Sequence, residues 1–436
     1  MLIDAGRIVA IAPQSELVSR HPRQEQLDAR GQYVMPGNIC AHTHFYGAFS
    51  RGMALAAPAP ASFPEILERL WWPLDRSLNH EDIRLSTLVM LVDAIKHGTT
   101  TLFDHHASPN AIAGSLDVIA ESVEQSGLRA VLCYEVTDRD GPEKARAGIE
   151  ENVRFIGHIA KSPPATLRAT FGLHASLTLS DATLDACREA APSGVGFHIH
   201  AAESIADQYD SLAKSGLRVV DRLQRHDILG PRSILAHAVH VDAREIAILA
   251  DTNTWVTHQP RSNMNNAVGV APVESLLRAG VVVGLGSDGF TSTMWEEWKA
   301  AYLAQKLWHA DPRRMPADTV AELAIYNNAA LANRFFGDAT IGVLTEGAVA
   351  DLIFVDYHPF TPLTPENLPW QIVFGFNDGM VTTTIVNGKL LMQDGRLLTL
   401  DEEQIAAKAR QIVPQVWQRY QAQFKNRVFD GKVRCG

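Results

Sequence analysis

The strongest constraint on this chain is an alternation. Eight short apolar runs, at residues 33–41, 100–103, 130–134, 168–173, 194–199, 233–236, 253–257 and 281–285, are separated by stretches such as 81–97 and 112–126 whose apolar residues recur at helical spacing. Buried strands alternating with amphipathic helices specify an α/β fold with a parallel sheet. Eight units predict a (β/α)8 TIM barrel over residues 36–344, longer than the ~250 residues typical of that fold because of loop insertions.

The two ends of the chain have a different texture. Residues 2–13 and 32–35 alternate in short β-like pieces before the Pro36-Gly37 break, and residues 350–356 and 381–386 read as strands, the latter turning through Asn387-Gly388. This predicts a small β-sandwich domain composed of residues 1–35 and 345–398. Residues 399–436 are expected to form a C-terminal helical tail, with a surface helix over 401–424 that is rich in Glu, Ala, Lys, Arg and Gln.

Composition narrows the function. A formal charge of −10 repels nucleic acid and anionic membrane at long range, which leaves a small molecule as the expected partner. No apolar run approaches the ~18 residues that would span a bilayer, and Met1 leads into Leu-Ile-Asp-Ala-Gly-Arg rather than a basic segment and an apolar core, so a cytoplasmic protein is expected. Cys40, Cys133, Cys187 and Cys435 are scattered with no C-x-x-C pair and are expected to be free buried thiols.

The chemistry is expected at the strand ends. The residues that close the eight runs are His42 with His44, Asp104 with His105, Glu135, His174, His200, His237, His258 and Asp288. In a TIM barrel these ends meet at one mouth, where active sites of the fold lie. Polar residues commonly follow buried strands, and for Asp104 or Glu135 alone that blander reading is preferred. His42 and His44, two apart on a strand, point to the same side and make a two-nitrogen chelate that needs further ligands. His200 with Glu203 forms H-x-x-E, although His198 lies two residues before His200 and spacing does not distinguish the two imidazoles. Asp288 follows Val-Gly-Leu-Gly-Ser and would complete a His₃Asp set for a borderline metal such as Zn²⁺. Gly284 and Gly286 would let backbone approach a ligand closely.

The pieces Pro36-Gly-Asn-Ile-Cys-Ala-His-Thr-His44, His97-Gly-Thr-Thr-Thr-Leu-Phe-Asp104, His200-Ala-Ala-Glu203, Leu235-Ala-His237, His258-Gln-Pro-Arg-Ser-Asn263 and Leu285-Gly-Ser-Asp288 together resemble the amidohydrolase superfamily. The branch resembled is the cytosine deaminase-like one, with the atrazine and triazine hydrolases and the S-adenosylhomocysteine deaminases. Within it, Phe45-Tyr-Gly-Ala-Phe-Ser-Arg-Gly-Met53 and Cys133-Tyr-Glu-Val-Thr-Asp-Arg-Asp-Gly141 are similar to SsnA-type aminohydrolases. The resemblance implies one divalent metal, zinc or alternatively iron, held by His42, His44, His200 and Asp288. It also implies that His237 faces the metal-bound water, that Asp75 (a Glu in many relatives) and His174 touch substrate, and that the protein is a homo-oligomer. Binuclear relatives carry a carboxylated Lys at the end of the fourth strand, where this chain has Phe-Gly-Leu-His174, so a single metal is favoured. Relatives carry additional β structure ahead of the segment matching Leu2–Arg7, on which the barrel chemistry should not depend.

The expected function is therefore hydrolytic deamination of an aminated purine-, pyrimidine-, pterin- or triazine-like heterocycle. A divalent ion supplies hydroxide at neutral pH, with Glu203, His237 and Asp288 as the catalytic residues. The alternatives are another hydrolysis at the same centre, dechlorination or opening of a cyclic amidine or amide, and a non-catalytic scaffold of the same fold. His105 and His106 are given no role, and His258 is expected to support the site from behind. Trp71 and Trp72 sit on a helical segment over the pocket; core packing is preferred for at least one, while Trp72, one turn before Asp75, could flank a planar ring.

Overall fold

A computed structural model describes residues 1–337 and 339–425. Its strands are β1 Leu2–Asp4, β2 Arg7–Ala10, β3 Tyr33–Pro36, β4 Asn38–Thr43, β5 Thr99–His106, β6 Arg129–Tyr134, β7 Leu167–Ala169, β8 Phe171–Ala175, β9 Phe197–Ala201, β10 Ile234–His237, β11 Trp255–His258, β12 Val283–Leu285, β13 Leu352–Val355, β14 Val381–Val386, β15 Lys389–Gln393 and β16 Arg396–Leu397. Strands β4 to β7 pair in parallel in one sheet, and β8 to β12 in parallel in a second. Parallel bridges Thr43–Asp288 and Val136–Leu173 join the two sheets into a ring. The expected (β/α)8 barrel is the fold observed, with a helix or helices after each strand.

Two boundaries differ from the sequence reading. The run 33–41 is two strands: β3 pairs antiparallel with β13, outside the barrel, and the first barrel strand starts only at Asn38. The fourth barrel strand is broken into β7 and β8 at Thr170, whose amide donates to the Leu132 carbonyl at 3.1 Å on one side while its hydroxyl donates to the Gly196 carbonyl at 2.9 Å on the other. Thr170 thus bonds both neighbouring strands at the break, and the ring stays closed.

Closure depends on close backbone approach. A Cβ on Gly286 would lie 2.7 Å from both the amide nitrogen and the carbonyl oxygen of His42, and one on Gly284 would lie 2.5 Å from Asn328 Oδ1. These glycines thus admit strand β4 and Asn328, not a ligand as the sequence suggested. Asn328 donates to the carbonyls of Ile39 at 2.6 Å and Leu285 at 2.9 Å, and accepts from the Leu285 amide at 2.8 Å, stitching β4 to β12. Its helix, Asn328–Phe336, packs Ala329, Leu331, Ala332 and Phe336 against Ile39, Ala41, Phe103 and Val131 of the barrel strands.

Strands β16-β15-β14-β13-β3 form an antiparallel sheet containing β3 from the early chain. The β1–β2 hairpin packs Ile8 against Ala348, Ala350, Leu352 and Ile385 of this region. The expected surface helix is seen as Glu402–Ala422, but it is docked. Ile405, Ile412, Val416 and Tyr420 are buried, Trp417 Nε1 donates to the Phe49 carbonyl at 2.8 Å, and Tyr420 Oη to the Arg69 carbonyl at 2.5 Å. Cys40, Cys133 and Cys187 are free and buried, as expected, whereas Cys435 and the end of the tail, 426–436, lie outside the described residues. Among the described residues, no helix is long and apolar enough to cross a membrane.

Candidate active site

The C-terminal ends of the barrel strands bring His42, His44, His200, His237 and Asp288 together. His42 is on β4 and His44 is the first residue beyond it, so both imidazoles face the axis, as the i, i+2 spacing required. His44 Nδ1 donates to the His105 carbonyl at 2.5 Å, His200 Nδ1 to the His174 carbonyl at 2.8 Å, and His237 Nδ1 to Asn263 Oδ1 at 2.9 Å. A ring whose Nδ1 carries the donated hydrogen presents a bare Nε2 lone pair. Those lone pairs converge: His200 Nε2 lies 3.2 Å from His44 Nε2, and Asp288 Oδ1 lies 3.1 Å from His44 Nε2 and 3.8 Å from His42 Nε2.

Two imidazole nitrogens facing each other at 3.2 Å beside a carboxylate oxygen need a proton or a metal cation between them. The buried Nε2 atoms of His42 and His237 have no hydrogen-bond partner. His44 shows the same pull toward positive charge: burial opposes its charge, but the hydrogen bond and charge of Asp288 outweigh it and raise the imidazole to about 9, and a metal at Nε2 would take the place of that proton. The donor set of three imidazole nitrogens and one carboxylate oxygen, with ligand atoms of His42, His44 and Asp288 and of His42, His200 and His237 within 4.8 Å of one another, fits a divalent metal of the zinc class. His198, the alternative to His200, instead shares a 2.9 Å hydrogen bond with His42 Nδ1 through its own Nε2, behind the cluster.

Glu203 lies just past β9, with Oε2 3.5 Å from His237 Nε2 and Oε1 accepting from Asn266 Nδ2 at 3.3 Å. Burial, followed by the nearby charge of Asp288, pushes its carboxyl well above the usual range and favours the protonated form. Asp288 is the opposite case: burial resists ionisation, but the His44 hydrogen bond wins and its carboxyl stays well below the usual range. Asp288 Oδ2 also accepts from the Ser262 hydroxyl at 2.5 Å. Two carboxyl groups with their pKa values pushed apart are the mark of an acid and a base. The local backbone is strained to place them, with Ala202, His237 and Asp288 at φ of 49°, 75° and 56°.

A cleft with about 610 Å³ of empty space, part of it open to solvent, lies over this cluster. Asp75 and His174 both line it, together with Trp71 and Trp72, so neither tryptophan is confined to the core. His174 is held by Thr178 Oγ1 at 2.7 Å from Nδ1, and its ring stands edge-on to Trp72 at 6.3 Å. Asp75 is almost wholly buried and pairs with Arg139, which sequence reasoning missed; nothing in the sequence ties a loop arginine to a carboxylate 64 residues upstream. Burial raises the Asp75 carboxyl to about 7 despite that partner.

Glu135, set aside in the sequence as a polar residue after a strand, also lines the cavity, with Oε1 3.3 Å from both His44 Nδ1 and His105 Nδ1. Tyr46 and Asn266 complete the group that sequence reasoning did not find. Asp104 has a local task instead, accepting from the Phe45 amide at 2.7 Å where the chain turns after β4. His258 is buried beyond His237, and neither of its ring nitrogens has a partner.

Imidazoles and carboxylates converging at the mouth of a parallel eight-stranded barrel define a hydrolase built around a cation. The chain belongs to the amidohydrolase family, whose sequence profile matches residues 33–391. It is an enzyme of hydrolytic C–N chemistry and aligns with deaminases along nearly its whole length. A 5'-deoxyadenosine deaminase of Methanosarcina mazei is 33% identical over 94% of this chain and 91% of its own. A 5-methylthioadenosine/S-adenosylhomocysteine deaminase of Pelotomaculum thermopropionicum is 32% identical over 94% and 92%. In fold, an adenosine deaminase of Xanthomonas campestris with bound zinc superposes with a TM-score of 0.82 at 24% identity, covering 97% of this chain and 93% of that one. The zinc complex of atrazine chlorohydrolase from Arthrobacter aurescens gives 0.79 at 23%, covering 95% and 94%.

Proposed function

We propose that this amidohydrolase is a zinc-dependent deaminase of an aminated purine nucleoside, releasing ammonia from the ring carbon that carries the amino group. The observation that carries the reading is the placement of Glu203: a buried carboxyl on the cavity lining, 3.5 Å from His237 and near Asp288, in surroundings that push its pKa up while that of Asp288 is held down. Deamination of an aromatic heterocycle needs such an acid, because the ring nitrogen must gain a proton as the adjacent carbon becomes tetrahedral. The 5'-deoxyadenosine and methylthioadenosine deaminases among its relatives favour a purine nucleoside over the other heterocycles.

In this reading His42, His44, His200 and Asp288 hold one zinc, with iron as the alternative. When bound, such an ion lowers the pKa of a water molecule and supplies hydroxide at neutral pH. Asp288 takes up a proton at Oδ2, the oxygen oriented by Ser262. Glu203 gives its proton to the ring nitrogen, and His237, whose bare Nε2 lies 3.5 Å from Glu203 and 3.7 Å from Asp288 Oδ2, accepts a hydrogen bond from the attacking water and orients it. Trp71 and Trp72 flank the heterocycle, while Asp75 and His174 bind the remainder of the substrate.

The working unit we propose is the barrel of residues 36–344, carrying a β module from 1–35 and 345–398 and the tail 399–436. Its three described cysteines are free and buried rather than paired in disulfides, which supports the cytoplasmic setting we propose. A homo-oligomer is part of the proposal, supported by the exposed Leu307, Trp308 and Phe374, and a monomer by light scattering would remove it.

The test of the activity is metal analysis combined with ammonia release over aminated purines and their nucleosides, pyrimidines, pterins and triazines. The expected result is one zinc per chain and ammonia from a purine nucleoside. A fully zinc-loaded protein that releases ammonia from no member of the panel would exclude a deaminase.

A further inference from the structure

The opposite end of the barrel carries a second cleft, with about 870 Å³ of empty space, part of it open to solvent. Its lining comes from the N-terminal side of the strands: Arg168 on β7 with Thr170 at the break, Gly194 and Gly196 ahead of β9, and Arg232 ahead of β10. The last turns of helix Pro142–Lys161 supply an apolar wall of Ile156 and Ile159, continued by Pro163, and the end of helix Asn328–Phe336 adds Arg334 and Phe335. Three arginines and no acid line this cleft, in a chain of net charge −10. Backbone carbonyls engage part of two of them. Arg168 donates from Nε to Phe335 at 3.2 Å and from Nη1 to Pro164 and Leu167 at 2.5 and 2.6 Å, and Arg232 donates from Nη1 to Gly194 at 2.9 Å. None of these bonds neutralises a charge, and among the described residues none of the three arginines is ion-paired. A neighbour shows the contrast. Arg129 and Arg168 both place Cζ against the Phe336 ring, at 4.9 and 4.8 Å, but Arg129 is paired with Asp351 at 3.1 Å. Burial and the Arg129 charge push the Arg168 guanidinium below its ordinary value, with no carboxylate to offset them. A helix C-terminus favours a nearby cation, which accounts for Arg334 and for Arg168 at the Phe335 carbonyl. It accounts neither for Arg232 nor for the apolar wall.

We propose that this cleft is a binding site for an organic phosphate, its anionic group held by Arg168, Arg232 and Arg334 and its apolar body lying on Ile156, Ile159 and Pro163. A phosphate monoester carries nearly two charges at neutral pH and three acceptor oxygens, enough for forks arriving from three separate elements; a carboxylate has one charge and two oxygens. Inorganic phosphate would leave the apolar wall wet. Because the lining precedes the strands and the histidine cluster lies beyond their C-terminal ends, the occupant touches none of the reacting groups. The inference therefore stands or falls independently of the deaminase reading.

The probe is 1-naphthyl phosphate, titrated calorimetrically into the zinc-loaded full chain. It is expected to bind at least about tenfold more tightly than inorganic phosphate, which has no apolar body, and more tightly than 1-naphthoate, which has a single charge. The affinity should fall as salt is added. Removing the two exposed arginines together, Arg232→Gln with Arg334→Gln, should weaken binding by at least about tenfold. Ala160→Glu, at an exposed position of the lining, keeps all three arginines and adds a carboxylate; it should weaken binding as much while melting at the wild-type temperature. Both changes lie on the face away from the mouth, so a phosphate captured by the proposed zinc would be indifferent to them. Equal binding by the wild type and both variants therefore overturns the proposal. So does the absence of binding, or 1-naphthoate binding as tightly as the phosphate ester.

Discussion

At the scale of single residues, the proposed roles separate holding the metal from moving the proton. Glu203→Gln removes the acid but none of the four proposed ligands. Zinc content should stay at one per chain while kcat falls by about 10²- to 10⁴-fold, the usual size of a general acid–base contribution. His200→Ala should lose both, and full zinc occupancy in that variant would remove His200 from the ligand set. A second prediction concerns pH. Burial pushes the His106 imidazole down to about 3, whereas in the unfolded chain it titrates near 6.5. Below 6.5 the unfolded state binds a proton that the folded state refuses, so stability present at neutral pH is lost as pH falls from 6.5 toward 3. By pH 5 the loss from this one residue is about 2 kcal/mol. His106→Asn should shrink the difference between urea unfolding energies at pH 7 and pH 5 by that amount; an unchanged difference would show that His106 is not the source.

At the scale of elements, the barrel's closure sets the spacing of the proposed metal ligands. Because a Cβ at Gly286 would press on both backbone polar atoms of His42, Gly286→Ala must push β4 away from β12. Overpacking of this kind costs about 1–3 kcal/mol, and the expected signature is reduced zinc affinity together with a lower urea midpoint. The eight strands were legible from sequence because alternation and strand-end histidines are local patterns. The split of 33–41 was not: Val34 and Ile39 are equally apolar, and only the antiparallel partner β13, more than 300 residues later, draws Tyr33–Pro36 into another sheet. The convergence of His42 and His44 was legible because a strand's two-residue period fixes where side chains point. Arg139 and Glu135 were not, because their significance comes from neighbours brought together by the fold. The two tryptophans lie between these cases. The helical segment 63–75 widens into a π turn at Leu67–Trp71, and both Trp71 and Trp72 reach the cavity, a placement that regular helical spacing argues against.

At the scale of the whole molecule, the proposed metal should act as a fold stabiliser as well as a reagent. A ligand that binds only the folded state at 100 times its dissociation constant adds about 2.7 kcal/mol. Chelation should therefore lower the melting temperature and zinc should restore it; an unchanged melting temperature would argue against tight binding at the mouth. The histidine cluster is assembled from residues 42–288, but the aromatic wall above it is braced from elsewhere. The helix Glu402–Ala422 reaches the carbonyls of Phe49, Arg69 and Ser77, and Gln423 just beyond it reaches that of Pro73. A ribosome delivers those braces last. During synthesis the metal-binding mouth is complete in sequence well before the wall that would clamp a heterocycle can be secured, so a nascent chain acquires its capacity to grip an ion before its capacity to discriminate among substrates.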